Sequence, residues 1–168
     1  MSMKYRSRYD SPLGAILLDA DDEGLTGLHF CDRKITLPKE DRSPFEETFR
    51  WLDLYFSGNK PGSIPKIHLS GTDFQLQVWR ILLQIPYGQT VSYAWIAKRI
   101  ALLHGIEKMS AQAVGGAVGR NPIALIVPCH RVIGSNGTLT GYAGGLERKC
   151  KLLALEGIRQ NSCGVQGK

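Results

Sequence analysis

The sequence predicts an α+β protein in two parts: a small N-terminal α/β unit, then a mostly helical, helix-turn-helix-like domain. Three observations predict it. Short apolar runs broken by turn residues fill positions 4–31. Helical spacing dominates beyond residue 72. Charge divides the same way: residues 1–70 hold 10 Lys/Arg against 11 Asp/Glu, whereas residues 71–168 hold 11 against 4. The second part carries the whole positive excess, as expected of a nucleic-acid-binding half joined to a neutral one.

The elements follow in order. KYRSRY, AILLDA and LTGLHF are separated by SPLG and DDEG, which reads as two or three antiparallel strands with tight turns. A polar stretch follows. Ser43-Pro44 is expected to open a helix as cap and first-turn proline. Phe45, Phe49, Leu52 and Phe56 form its stripe, and Gly58 ends it. SGNKPGSIPKIHLSGT, residues 57–72, reads as a linker, dividing the chain into domains 1–70 and 71–168.

Beyond it, Thr72 or Asp73 caps a helix with the stripe Phe74, Val78, Ile81, Leu82 and Ile85. PYGQ is a turn, and Ser92 caps YAWIAKRIALL. Ser110 opens SAQAVGGAVGRN, a helix that propensity disfavours. Two explanations stand for its glycines: tight packing inside the protein, or close approach to a large partner. Two short helices with a turn between them resemble a helix-turn-helix. Asn136-Gly137 and Gly144-Gly145 mark loops or a hairpin, and LERKCKLLALEG is an amphipathic helix closed by Gly157. NSCGVQGK reads as a frayed tail.

Composition narrows the class. With 43% apolar and 21% charged residues, the chain reads as an ordinary globular protein. No apolar run reaches a membrane span, and no apolar stretch follows the basic N-terminus as in a signal peptide. A cytoplasmic monomer is expected. Cys31, Cys129, Cys150 and Cys163 form no CxxC pair, so four free thiols are expected in a reducing compartment. His29, Cys31, His68 and His104 supply no ligand pattern, and no metal or cofactor is expected.

IVPCHRVI, residues 126–133, is the stretch with chemistry in it. A thiolate is a nucleophile, and an adjacent base raises its fraction. A buried structural cysteine is the ordinary alternative for an arbitrary Cys-His pair. The surroundings decide between them. NPIALIVPCHRVIG resembles the active-site segment of the O6-alkylguanine-DNA alkyltransferases. TDFQLQVW, IPYGQTVSYAWIA, AVGGAVGRNP and GYAGGLERKCKLLALEG resemble further blocks of that family, in the same order. The resemblance is strong over residues 72–157 and weaker before them.

The resemblance implies a ribonuclease H-like N-terminal sheet with a helix and a winged-helix, DNA-binding second domain. It implies direct-reversal repair without a cofactor: an alkyl group passes irreversibly from O6-alkylguanine in double-stranded DNA to the protein itself. O4-alkylthymine is a second candidate substrate. Cys129 is the implied acceptor, His130 the base acting through a water, Glu156 its orienting partner and Asn121 a hinge residue. Tyr93 is implied to help rotate the target phosphate and to donate a hydrogen bond to the departing base. Val132, Tyr142, Ala143, Gly144 and Pro128 are implied to line the base pocket. The helix from Ser110 is implied to enter the minor groove, with Ser92, Ser110, Ala111, Gln112, Gly115 and Arg120 on the DNA and the target base flipped out. Many relatives carry arginine where this chain has Gln112, so weaker or more salt-tolerant DNA engagement is expected. A lesion binder without transfer, a fused transcription regulator and a cysteine hydrolase are the competing readings. The intact PCHR disfavours the first, and the chain length the second.

Overall fold

The structure, a computed structural model, describes residues 2–37, 43–160 and 163. The chain forms two compact units: residues Met1–Ser70 with Pro122–Ile126, and residues Gly71–Asn121 with Val127–Lys168. The return of residues 122–126 to the first unit departs from the simple division at residue 70. Backbone pairing is the reason: Leu28 N donates to Pro122 O at 2.9 Å, and Ala124 N donates to Leu28 O at 2.9 Å.

In the first unit, β1 (Lys4–Ser11), β2 (Gly14–Asp21) and β3 (Gly24–Phe30) form an antiparallel meander. Ile16, Leu18 and Ala20 line one face of β2 and are buried, and Leu17 on the other face is buried as well. Much of the expected linker belongs to this unit. Leu25 N donates to Lys66 O at 2.9 Å and His68 N to Leu25 O at 2.7 Å. Gly24 permits the approach, because a Cβ there would stand 2.8 Å from Lys66 O. The His68 ring bonds the Asp21 carboxylate at 2.6 Å.

Ser43–Phe45 is a 3-10 turn, and α1 (Glu46–Phe56) begins after it without a side-chain cap. The cap position of α1 itself falls at Phe45, and the fixed φ of Pro44 suits the 3-10 turn before it; the expected Ser43 side-chain cap lies outside what is described. The buried face also differs from the expected stripe. Thr48, Trp51, Leu52 and Tyr55 are buried, while Phe49 and Phe56 lie at its flank against the Tyr9 ring. Aromatics at every turn made two helical faces look equally apolar.

The second unit opens with α2 (Asp73–Leu82), where Thr72 and Gln75 complete a reciprocal capping box. Its buried face is Val78, Trp79, Ile81 and Leu82; Phe74 is only half-buried. The Trp79 indole donates to Ala117 O at 2.9 Å. Ser92 caps α3 (Tyr93–His104) and Ser110 caps α4 (Ala111–Gly119), each hydroxyl accepting from a backbone N–H three residues on. Gly105, in the left-handed region, ends α3. The three helices pack against one another. β4 (Val91–Ser92) pairs in parallel with β5 (Val132–Ile133), tying the residues after PCHR to the start of α3. Asn136-Gly137 forms a loop, with Gly134 N donating to Thr138 O at 2.8 Å. α5 is Leu146–Leu155.

The expectation of four free thiols is corrected. Cys150 and Cys163 form a disulfide across 13 residues of chain, and among the described residues Cys31 and Cys129 are free. Gly157 reverses the chain after α5, with Ile158 N donating back to Leu153 O at 2.8 Å, and Cys163 returns to the helix. Apart from Cys163, the expected frayed tail lies outside the described residues. No helix among the described residues is long and apolar enough to cross a membrane.

Candidate active site and nucleic-acid interface

Cys129, His130 and Arg131 form a single 3-10 turn behind Pro128, and all four are buried. The turn aims the histidine and the arginine at one acceptor, the Glu156 carboxylate just past the end of α5. His130 Nε2 bonds Glu156 Oε2 in a pair that solvent does not reach. Arg131 Nε donates to Glu156 Oε1 at 2.8 Å, and Gly88 N donates to the same oxygen at 2.9 Å. Arg131 Nη1 reaches Ile85 O at 2.8 Å.

Burial alone would raise the Glu156 carboxyl, but the His130 bond and the Arg131 charge overcome it and hold the group at about 2. An ionised carboxylate only accepts, so His130 Nε2 carries the proton and Nδ1 is the basic nitrogen of the neutral ring. Burial pushes the imidazole below its usual value, against the opposing pull of Glu156. Burial likewise pushes the Cys129 thiol up; a hydrogen bond from the Asn121 side chain and the Lys149 charge oppose it. Asn121 Nδ2 also donates to Val127 O at 2.8 Å, which braces the segment entering PCHR.

Lys149 was not among the expected site residues. It is fully buried, and its Nζ donates to Val132 O at 2.6 Å and to Thr140 O at 3.0 Å. Burial lowers it to about 8, with nearby Cys129 acting the other way. Arg131 was missed as well. A signal for Lys149 existed: it stands seven residues before Glu156, on the helical face of Leu152 and Leu153. A charge at each end of an apolar stripe is unusual unless both have partners.

Tyr93 Oη donates to Thr140 O at 3.1 Å, so the tyrosine at the start of α3 and the lysine of α5 share one carbonyl. Val132 is buried and Gly144 half-buried, whereas Ala143 is exposed. The Tyr142 hydroxyl is buried without a hydrogen-bond partner among the described residues. Ser92 and Ser110 act as helix caps. Ala111, Gln112 and Arg120 are exposed along α4, away from its buried Val114, Ala117 and Val118.

The glycines of α4 separate the two explanations offered for them. A Cβ at Gly115 would lie 3.8 Å from the Tyr93 ring, an ordinary contact, and a Cβ at Gly116 or Gly119 would meet nothing within 4 Å. Internal packing requires none of them, although each costs a helix about 1 kcal/mol relative to alanine. Tight packing inside the protein therefore does not account for these glycines, and the open side of α4 is bare.

Fold and site together define an α+β protein with a buried Cys-His-Glu constellation beside a helix-turn-helix-like pair. Comparison with known proteins then places it. Residues 73–158 match the family model described as 6-O-methylguanine DNA methyltransferase, DNA binding domain, and residues 4–64 match its ribonuclease-like domain. The methylated-DNA–protein-cysteine methyltransferase of Methanosarcina acetivorans is 47% identical over 158 residues, spanning 91% of this chain and 98% of that protein. The crystal structure of Mycobacterium tuberculosis O6-methylguanine methyltransferase superposes with a TM-score of 0.79 at 43% identity, covering 92% of this chain and 93% of that one. Mycobacterium tuberculosis OGT in complex with DNA gives 0.77 at 45% identity, covering 89% and 90%. The chain belongs to the 6-O-methylguanine DNA methyltransferase family, and its second domain is a DNA-binding domain.

Proposed function

We propose that this protein repairs DNA by direct reversal, taking the alkyl group of O6-alkylguanine onto Cys129 once per molecule. The observation that carries this reading is a buried thiol, Cys129, next in sequence to an imidazole, His130, that an ionised Glu156 carboxylate holds in one tautomer. The names of its relatives, which are methylated-DNA–protein-cysteine methyltransferases, point the same way.

His130 Nδ1 draws off the thiol proton through a bridging water, and the Asn121 amide and the Lys149 charge favour the thiolate that results. The sulfur attacks the alkyl carbon. An S–C bond forms, the C–O6 bond breaks, and its electron pair leaves with guanine, which takes up a proton. Tyr93 assists by moving its hydroxyl hydrogen bond from Thr140 O to the departing base. A thioether does not hydrolyse under mild conditions, so the protein is consumed.

Guanine O6 is engaged in pairing, and a buried thiol cannot reach it within the stack. The base is therefore flipped out into a pocket of Pro128, Val132, Tyr142, Ala143 and Gly144. α4 enters the minor groove by its bare side, with Gln112 at the step the base vacates and Arg120 on the backbone. Ser92, Ser110 and Ala111 lie at the two helix starts that meet the phosphates, and Gly115 leaves room beside Tyr93. The protein acts as a monomer in the cytoplasm.

The test is a duplex carrying one O6-methylguanine. After incubation, digestion and mass measurement, the Cys129 peptide gains one methyl group, guanine is restored in equal amount, and no second turnover follows. Binding without a mass change would establish a lesion-recognition protein instead.

A further inference from the structure

We propose that Cys150 and Cys163 form a reversible oxidative modification site, a redox staple that governs the heat stability of the helix serving the alkyl acceptor. Cys150 sits on α5 between Lys149 and Lys151, and Cys163 returns to it with a Cα–Cα separation of 5.6 Å. Both are half-buried, so a small thiol or disulfide reaches the bond without unfolding the domain. The bond excludes the acceptor: Cys129 stays a free, buried thiol, and Cys31 is free as well.

The placement links the bond to the site. α5 carries Lys149, whose Nζ holds Val132 O and Thr140 O, and leads directly into Glu156, which holds His130 and Arg131. The bond closes the chain from the middle of α5 through the Gly157 reversal to residue 163, so the Glu156 end of the helix lies inside a covalent loop. Such a loop restricts the unfolded chain and favours the folded one. Reduction releases that constraint and leaves the hydrogen bonds of the site in place. The reduced form therefore transfers alkyl groups normally at moderate temperature and loses the site at a lower one.

The chemistry is thiol–disulfide exchange with a small-molecule disulfide. One protein thiolate attacks it, forming a mixed disulfide and releasing one small thiol. The second protein thiolate then displaces the other. Two protein sulfurs are oxidised, one small disulfide is reduced to two thiols, and the two protons pass to those thiols. A reducing pool reverses each step.

The test uses the full-length protein equilibrated in glutathione buffers from strongly reducing to strongly oxidising. Free thiols are trapped and located by mass spectrometry, and thermal unfolding is recorded at each ratio. The expected result is a Cys150–Cys163 linkage that appears as the buffer becomes oxidising, with two trapped thiols at Cys31 and Cys129. The midpoint rises by about 5–10 °C on oxidation. Cys163→Ser melts like the reduced protein at every ratio. After brief heating between the two midpoints, methyl transfer survives only in oxidised wild type. That last readout rests on the proposed alkyl transfer, whereas thiol trapping and melting do not, so the two readings fail separately. Four trapped thiols across all ratios would overturn the proposal, as would a linkage that leaves the midpoint unmoved.

Discussion

Glu156 binds the imidazole of His130 across 26 residues of chain, through a carboxylate that solvent does not reach. Arg131 and Gly88 N occupy its other acceptor positions. One acidic side chain therefore sets the histidine tautomer, neutralises a buried guanidinium and closes the PYGQ turn.

Glu156→Gln keeps the shape and removes the charge. It leaves Arg131 buried without its counter-ion, and destabilisation of about 3 kcal/mol or more is expected. The amide also presents a donor on one side, so the imidazole loses its fixed tautomer. Single-turnover methyl transfer should fall roughly 100-fold or more. Denaturant unfolding and rapid-quench kinetics check the two effects, and a variant transferring at the wild-type rate would remove Glu156 from the chemistry.

Acid stability follows from the same group. The Glu156 carboxyl is held at about 2, below its ordinary 4.5, so its contribution is fully present above 4.5 and is lost as pH falls through about 2. The size is roughly 3 kcal/mol by linkage. His130, lowered by burial, adds in the same direction: the unfolded imidazole takes up a proton near its ordinary 6.5, while the folded one resists. Stability measured from pH 7 to 2 should decline throughout, and the segment below 4.5 should flatten in Glu156→Gln.

Lys149→Met retains the stem and removes the ammonium. The carbonyl of Val132 is left buried without that donor, at a cost of roughly 1–3 kcal/mol. The thiolate of Cys129 loses the nearby positive charge, so methyl transfer should slow at neutral pH. Thermal melts and pH–rate profiles test the pair of effects; a profile identical to wild type would confine Lys149 to a structural role.

Gly116→Ala separates stability from binding. Nothing beyond its own helix backbone lies within 4 Å of an added Cβ, so the helix should gain about 0.5–1 kcal/mol. If the bare side of α4 lies in the minor groove, the same methyl group weakens DNA binding. A fluorescence titration with duplex DNA alongside a melt decides it: stabilisation with unchanged affinity would mean that the glycines serve nothing outside the molecule.

Gln112→Arg introduces a cation at the start of α4. DNA affinity should rise at low salt, and the log–log salt dependence should steepen by about 0.9 for each further phosphate that the new guanidinium neutralises. An unchanged affinity and slope would falsify the placement of Gln112 on the DNA.

Most elements were legible because their signals are local. Thr72, one of two candidates at its helix start, Ser92 and Ser110 cap their helices through bonds reaching only three residues. The turns between strands and the Gly157 helix end are likewise short-range. Other features needed distance in sequence but contact in space. Phe49 and Phe56 left the expected stripe because Tyr9, on β1, offered them a ring. Residues 122–126 joined the first unit because β3 had backbone groups to pair.

By itself, the sequence determined the two-part α+β organisation, the positively charged second half and the thiol-histidine pair within PCHR, since each rests on composition, period or adjacency. Only the tertiary structure decided that Arg131 and Gly88 meet on Glu156, that Lys149 turns its charge inward to Val132 and Thr140, and that Cys150 finds Cys163. A buried charge is stable only beside its partners, and those partners come from segments that approach one another after the chain has folded.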